Sequence, residues 1–422
     1  MARILIIGGS LGGLMVAHAL LRSGHSVAVL EKALGALDGR GAGIVTHSAL
    51  IAGLLHCGLP ADIDLGVHVQ KRVALGSAGA QHNALLGELR MPQLLTSWSR
   101  LYQLLHERLP AGVYQQGQAV ELFAQDASGV QVQTSTAKGP GHWQADLLIA
   151  SDGIRSAVRQ QLWPQAQATY AGYVAWRGVC EEAVLSRATH TAVFAHFGFC
   201  LPPGEQLIGY PVAGPGNRTG VGERAYNFVW YRPASEGAAL QALLSDDAGV
   251  HHPLGIAPQK ISASNIAQMR ADAQRMLAKP FAEIIAKTTQ PLLQPIYDLS
   301  SEAIVQGRVA LMGDAAFVAR PHVGMGVTKA MQDALALADA IDQHGASPQA
   351  LQSYQALRLP AGQAVVARGR RLGAYMQATA QQASHTPARD AMTVMQETAI
   401  DCLALAAQSS ALQNQSTPVL SF

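Results

Sequence analysis

The sequence predicts an α/β protein: a Rossmann-like nucleotide-binding unit, an inserted and mostly antiparallel β-sheet domain, and a helical C-terminal segment. Three observations carry this expectation. An apolar run at 3–7 leads through the glycines of Gly8 to Gly13 into a helix and a second strand. The block from Tyr170 to Arg232 divides into short strand patterns separated by Pro and Gly turns. The chain has 422 residues, 49% hydrophobic and 14% charged, which suits two or three packed domains rather than disorder.

The opening unit reads in order. Residues 3–7 form a buried strand, 12–23 a helix ending near Gly24, and 26–31 a second strand, the βαβ unit of a parallel sheet. A glycine-rich loop follows from Gly35 to Gly43, then helices beginning at Ser48 and Ser97. Val130 to Thr134 alternates as a strand with one wet face, and Asp146 to Ala150 is a buried strand. The β-rich block holds "AVFAHFGFCL", "QLIGYPV" and "YNFVWYR", each read as an antiparallel strand. Residues 266–290 are helical by pattern, Arg308 to Met312 is again a buried strand, and 328–343 is a helix. The tail beyond Gln377 is helical in parts.

Bulk properties exclude several functions. A net charge of +2 gives no electrostatic case for nucleic acid. Cys57, Cys180, Cys200 and Cys402 lie far apart with no CxxC pair, so neither a metal site nor a dense disulfide framework is expected, and a cytoplasmic location fits. No uninterrupted apolar stretch reaches the roughly 18 residues of a membrane span. Ala17-His18-Ala19 imitates a signal cleavage site, but glycines interrupt the preceding apolar run and a strand follows at once, so export is not expected.

"GGSLGG" admits two readings. As Gly8-x-Ser10-x-Gly12 it is a hydrolase nucleophile elbow. As Gly8-x-Ser10-x-x-Gly13 it is a dinucleotide loop with Ser10 at the middle glycine. The second is favoured. Only one strand precedes Ser10, whereas an elbow follows several. Glu31, at the end of the second strand, can accept hydrogen bonds from ribose hydroxyls. The N–H groups at the helix N-terminus favour a phosphate.

Two later turns also end buried strands, where ligands bind in open α/β sheets. One is "SDGIRSAVR" at 151–159, with Asp152-Gly153 and the cations Arg155 and Arg159. The other is "GDAAFVARPHVGMGV" at 313–327, where Pro321, Gly324 and Gly326 shape a loop into the following helix.

Together these motifs resemble the FAD-dependent aromatic hydroxylases of the p-hydroxybenzoate hydroxylase type. Gly8 to Gly13 with Glu31 is similar to that family's ADP-binding loop. Asp152-Gly153 with Ser156 and Arg159 resembles its "DG" motif, and Gly313-Asp314 its "GD" motif. Pro321-x-x-Gly324-x-Gly326 resembles the loop beside the flavin ring. "GGS", "TYAGYVAWRGV" at 169–179, "LIGYPV" at 207–212 and "RPH" at 320–322 look most like the 2,6-dihydroxypyridine 3-monooxygenase branch. Three positions depart from the family: Phe317 where many members have His, Trp98 where many have Arg, and Thr328 where Asn is common.

The resemblance implies an FAD monooxygenase that uses NAD(P)H and O2 to hydroxylate an electron-rich phenol or hydroxypyridine-like ring through a flavin C4a-hydroperoxide. It assigns Gly8, Ser10, Leu11, Gly13, Glu31, Lys32, Gly43, Ile44, Asp152, Gly153, Gly313, Asp314, Pro321, Gly324, Gly326 and Val327 to the cofactor. Ionising a ring hydroxyl raises ring electron density, so a base near the operating pH would help. The candidates are His322, His196 and Tyr210, with His47 behind them. Trp98, Trp176 and Trp230 are read as core. The implied domains are an FAD-binding unit at 1–75, 95–165 and 298–375, a substrate domain at 76–94 and 166–297, and a tail at 376–422. A homodimer is left open. The alternatives are a reductase or halogenase on the same fold, or a flavoprotein without turnover; the halogenase motif W-x-W-x-I-P is absent.

Overall fold

A computed structural model describes residues 1–35, 37, 43–377 and 389–404. The strand Arg3–Ile7 lies between two parallel neighbours, Leu147–Ala150 and Ser26–Glu31. The strand Val309–Leu311 adds in parallel beyond Leu147–Ala150, and Tyr114–Gln116 beyond Ser26–Glu31. Val305–Gln306 closes one edge in antiparallel pairing, giving a six-stranded sheet. The central strands are almost wholly apolar because helices cover both faces. The helices Leu11–Arg22 and Gly326–His344 pack against each other there.

This order has a functional consequence. The turns after Ile7, Ala150 and Leu311 emerge side by side at the carboxyl ends of adjacent parallel strands. The ladder runs on into them: Ser151 N–H donates to the Ile7 carbonyl at 2.8 Å and Met312 N–H to the Ala150 carbonyl at 2.9 Å. Gly8, Asp152 and Gly313, far apart in the chain, are thus brought to one edge.

The second sheet has nine strands, running from Phe317–Val318 through Leu292–Ser300, Thr169–Glu181, Ala225–Pro233, Gln206–Val212 and Phe197–Cys200 to Val67–Leu75, Leu85–Ser97 and Gly43–Val45. It is antiparallel except where Phe197–Cys200 runs parallel to Val67–Leu75. One face, carrying Val174, Trp176 and Trp230, packs on the helices Ala263–Met276 and Lys279–Lys287. The other face carries Ala175, Ile208, Tyr210, Val229 and Tyr231 and turns toward the six-stranded unit. A third sheet of three strands, Ala119–Gln125, Val130–Thr136 and Gly139–Ala145, crosses over within the first unit.

Most expected elements form, and some are divided or lie in a different sheet. Within residues 1–75, the strands Gly43–Val45 and Val67–Leu75 are hydrogen-bonded into the nine-stranded sheet. "AVFAHFGFCL" is not one strand. His190–Phe194 forms a π-helical turn, and the strand begins only at Phe197, which leaves His196 in the bend between them. Its alternating aromatics are spent on two different elements. The tail expected to be helical at 376–422 is helical at Ala374–Gln377 and Ala391–Glu397, while 378–388 and 405–422 lie outside the described residues. Most of the glycine-rich loop at 35–43 also lies outside them. The helix opening at Ser48 spans Ser48–His56, and that expected from Ser97 spans Trp98–His106 with Ser97 as its cap.

Candidate active site

The first glycine turn is fixed by close approach. Gly8 has φ +99, and a Cβ there would stand 2.4 Å from the Ser151 carbonyl oxygen. A Cβ on Gly13 would stand 1.9 Å from the Gly8 carbonyl oxygen, so only glycine lets the helix sit this near the turn. Ser10 is the N-cap of Leu11–Arg22, but its hydroxyl makes no capping bond. Glu31 is buried; its carboxylate accepts from the N–H groups of Gly9 and Ala33, each at 2.8 Å. That ties the end of the second strand to the glycine turn.

These residues border a cavity of about 280 Å³. Gly8, Ser10, Glu31 and Lys32 form one side, and Asp152, Gly153 and Arg155 the other. Leu11 and Gly13 are buried behind it. Trp98 lines this cavity as well, unlike Trp176 and Trp230, which are core as expected. Asp152 Oδ2 accepts from Ala157 N–H at 2.8 Å at the start of the helix Ala157–Leu162, whose cap is Ser156, while its buried Oδ1 finds no partner among the described residues. Desolvation raises the Asp152 pKa, opposed by the hydrogen bonds from Ser156 and the helix N–H groups. Arg159 is spent on structure: it is buried and donates to the Ala315 carbonyl at 2.8 Å, which joins the second turn to the third.

A second cavity of about 280 Å³ lies between the third turn and the open face of the nine-stranded sheet. Ile154 lines it beside Gly153 of the first, so the two cavities adjoin at this turn. Asp314, Pro321, Gly324, Gly326 and Val327 form one wall, with Gly43 and Ile44 at the rim. Tyr210, Tyr231, Arg177 and Gln294 form the other. Asp314 opens into this cavity, and its carboxylate makes no hydrogen bond among the described residues. Its side chain is open to the cavity, yet desolvation by the neighbouring protein raises its pKa; Lys329 opposes this and Asp333 adds to it.

Gly313 itself lies behind the lining, held on both sides. Its N–H donates to Asp333 Oδ2 at 3.0 Å, and its carbonyl accepts from the buried Lys329 Nζ at 2.8 Å. Arg358 Nε holds the other oxygen of Asp333 at 2.7 Å. Lys329 and Arg358 had no signal in the sequence beyond their helices, because both act across turns and not along them.

The base candidates separate. Tyr210 reaches the second cavity, but burial pushes its hydroxyl well above the ordinary tyrosine pKa, so it is a donor near neutrality. His322 does not line the cavity. Its ring is buried behind Tyr231, with Nε2 at 3.1 Å from the Gly369 carbonyl and Nδ1 without a partner among the described residues. Burial pushes its pKa down to about 3, against the pull of the Gly369 carbonyl. His196 lines neither cavity; burial lowers its pKa, and its charged neighbours are Lys71 and Glu88 at the strand edge. His47 caps the helix Ser48–His56, with Nδ1 at 2.8 Å from the Thr328 hydroxyl.

The tail completes the second cavity, which nothing in the sequence announced. Ala399 lines it, and its N–H donates to the His322 carbonyl at 3.0 Å. Arg72, fully buried, fixes the tail through carbonyls at Thr398 (2.6 Å) and Ala399 (3.0 Å).

The chain is similar to known proteins in sequence and in fold. Residues 170–298 match the FAD binding domain-like family model, and residues 295–369 match the FAD binding domain model. The chain is 29% identical over 381 residues to 2,6-dihydroxypyridine 3-monooxygenase of Paenarthrobacter nicotinovorans, covering 89% of this chain and 91% of that protein. It is 30% identical over 385 residues to aurachin C monooxygenase/isomerase of Stigmatella aurantiaca, covering 88% of each. The solved structure of 2,6-dihydroxypyridine-3-hydroxylase from Arthrobacter nicotinovorans superposes with a TM-score of 0.81 at 29% identity, over 89% of this chain and 93% of that one.

Proposed function

The chain belongs to the FAD-binding monooxygenase family, and on that premise we propose that its substrate is a hydroxylated N-heteroaromatic or phenolic ring, with NAD(P)H as reductant and O2 as co-substrate. It is an FAD-dependent monooxygenase acting on aromatic substrates. The observation that carries the reading is the pair of cavities meeting at Gly153-Ile154, one built by the glycine turn and one walled by tyrosines.

The residues fit the dinucleotide. The helix N-terminus at Leu11 presents backbone donors beside Gly8 and Ser10, which suits a pyrophosphate. Glu31 stands at the strand end where a ribose would be held. Asp152 Oδ1 and the Asp314 carboxylate are acceptors without hydrogen-bond partners among the described residues, each turned to a cavity or buried beside one. Gly43, Ile44, Pro321, Gly324, Gly326 and Val327 would border the ring system, with Gly313 setting the Asp314 turn.

FAD, when bound, supplies the electron storage and oxygen activation that side chains lack. The chain's own work is position and dryness. Ile208 and Val229 exclude water from the second cavity, and Tyr210 and Tyr231 offer ring faces and hydroxyl donors to a flat substrate. The Lys329–Gly313–Asp333 clamp keeps the Asp314 turn from relaxing when the cavity fills.

The test is a panel of hydroxypyridines and phenols added to FAD-loaded protein, scored for NADH or NADPH oxidation coupled to hydroxylated product. Coupled turnover with at least one hydroxypyridine is the expected result. A yellow protein whose nicotinamide oxidation no ring stimulates would instead support a flavoprotein without turnover.

A further inference from the structure

The second cavity holds a cation, Arg177, that no carboxylate neutralises among the described residues. Arg177 sits mid-strand in Thr169–Glu181, paired across to Val229 and Leu292. Alternation turns it, with Ala175, onto the face that lines the cavity, while Trp176 enters the opposite core. Its Nη1 donates to Gln294 Oε1 at 2.7 Å. Its buried Nε has no partner among the described residues. Arg177 makes no ion pair there, whereas the other arginine of the wall, Arg320, is bonded to Asp298 at 2.8 Å. A guanidinium held by one neutral amide in an aromatic cavity is half-satisfied. A charged hydrogen bond to an anionic oxygen would complete it.

Gln294 reinforces the same reading. Its oxygen is occupied by Arg177, which fixes the amide at the cavity wall and leaves its NH2 group with no acceptor among the described residues. Tyr231, on the adjacent strand Ala225–Pro233, and Tyr210, one strand further in Gln206–Val212, share the arginine's face; both are held protonated by burial, with Arg177 pulling the other way. The groups facing the guanidinium are therefore donors and neutral hydroxyls. Asp314, across the cavity, is the one carboxylate of the wall among the described residues, and desolvation disfavours its charge.

We propose that Arg177, oriented by Gln294, is the subsite for the anionic oxygen of the substrate, so that the ring binds already ionised, its hydroxyl proton left to solvent. This rests on the aromatic monooxygenase reading above and sharpens it: the substrate class is an aromatic or N-heteroaromatic oxyanion. It also removes the need for a side-chain base. Neither His322, buried behind the wall, nor the protonated Tyr210 is placed to take the proton, whereas a fixed cation draws the anion from the equilibrium in solution.

The test uses FAD-loaded protein and two probes of similar size, 4-nitrophenol and nitrobenzene, titrated by difference absorbance at a pH where the free phenol is ionised. The unaltered protein binds nitrophenolate in preference to nitrobenzene. Arg177→Gln weakens nitrophenolate binding by about tenfold or more and leaves nitrobenzene unchanged, as loss of one charged hydrogen bond requires. Arg177→Lys restores most of the preference. Equal nitrophenolate affinity in Arg177→Gln, or no preference for the anion in the unaltered protein, overturns the anion subsite. Hydroxypyridine-stimulated NADH oxidation would stand unaffected by that outcome, and its own absence would strike the underlying function instead. Flavin content, read from visible absorbance, must match across the three proteins.

Discussion

Arg72 Nη2 donates to the Ala399 carbonyl at 3.0 Å, across most of the length of the chain. The same guanidinium reaches the carbonyls of Met395 and Thr398 and the Gln93 amide oxygen, and it is fully buried among them. A charge so placed is tolerated because nearly every donor has an acceptor. Ala399 in turn lines the second cavity. Arg72→Met strips the tail's carbonyls of their donors and costs about 3 kcal/mol. The expected outcome is a lower melting temperature together with faster proteolytic cleavage near 389–404 and unchanged flavin content. Unaltered cleavage would mean that other contacts hold the tail.

The glycine turn has no room for a side chain. A Cβ at position 13 would overlap the Gly8 carbonyl at 1.9 Å. Gly13→Ala therefore purifies with FAD affinity lowered by at least tenfold, on the order of the strain such an overlap imposes. Ser10→Gly is the contrasting variant. The Ser10 hydroxyl makes no capping bond, so its removal preserves both flavin binding and hydroxylation. Loss of both in Ser10→Gly would reopen the hydrolase reading of "GGSLGG".

Asp314 offers a carboxylate with no hydrogen-bond partner among the described residues. If it receives a cofactor hydroxyl, Asp314→Ala weakens FAD binding by roughly tenfold to a hundredfold, the worth of one charged hydrogen bond. Equilibrium dialysis against FAD measures this. The apoprotein's stability should hold, because the Asp314 side chain is open to the cavity and bonds nothing among the described residues.

His322 supplies a pH signature. Its folded pKa, about 3, lies below the ordinary 6.5 because burial disfavours the imidazolium. The unfolded chain therefore binds the extra proton between these values, and stability falls as pH drops from about 6.5 toward about 3. His322→Gln flattens that part of the stability curve, measured by denaturant unfolding at a series of pH values. An unchanged slope would place the titration elsewhere.

Much of this was legible because it is local. Gly8, Gly13, Glu31 and the two later turns each follow an apolar strand, and a strand's end is visible in the sequence. That all three turns meet depends on strand order, which the motifs' shared resemblance supplied and periodicity alone did not. His196 was misread because the alternation of "VFAHFGF" is shared between a π-helical turn and a strand. His322 lay in the right loop but faces away from the cavity, since loop residues carry no period to show their direction. Arg177 carried a faint signal, a charge on the same strand face as Tyr173 and Ala175, but which face met the cavity was decided by tertiary packing. The Arg72–tail contacts span more than 300 positions and leave no local trace.

The proposed role of the two adjoining cavities is to bring FAD to an ionisable aromatic ring. It is tested most directly by single-turnover hydroxylation under labelled dioxygen, with FAD-loaded protein, NADH and 2,6-dihydroxypyridine. The expected product is hydroxylated and carries one labelled oxygen atom, formed in step with NADH consumption. NADH consumed with no labelled product from this ring or from any hydroxypyridine or phenol of the panel would contradict it.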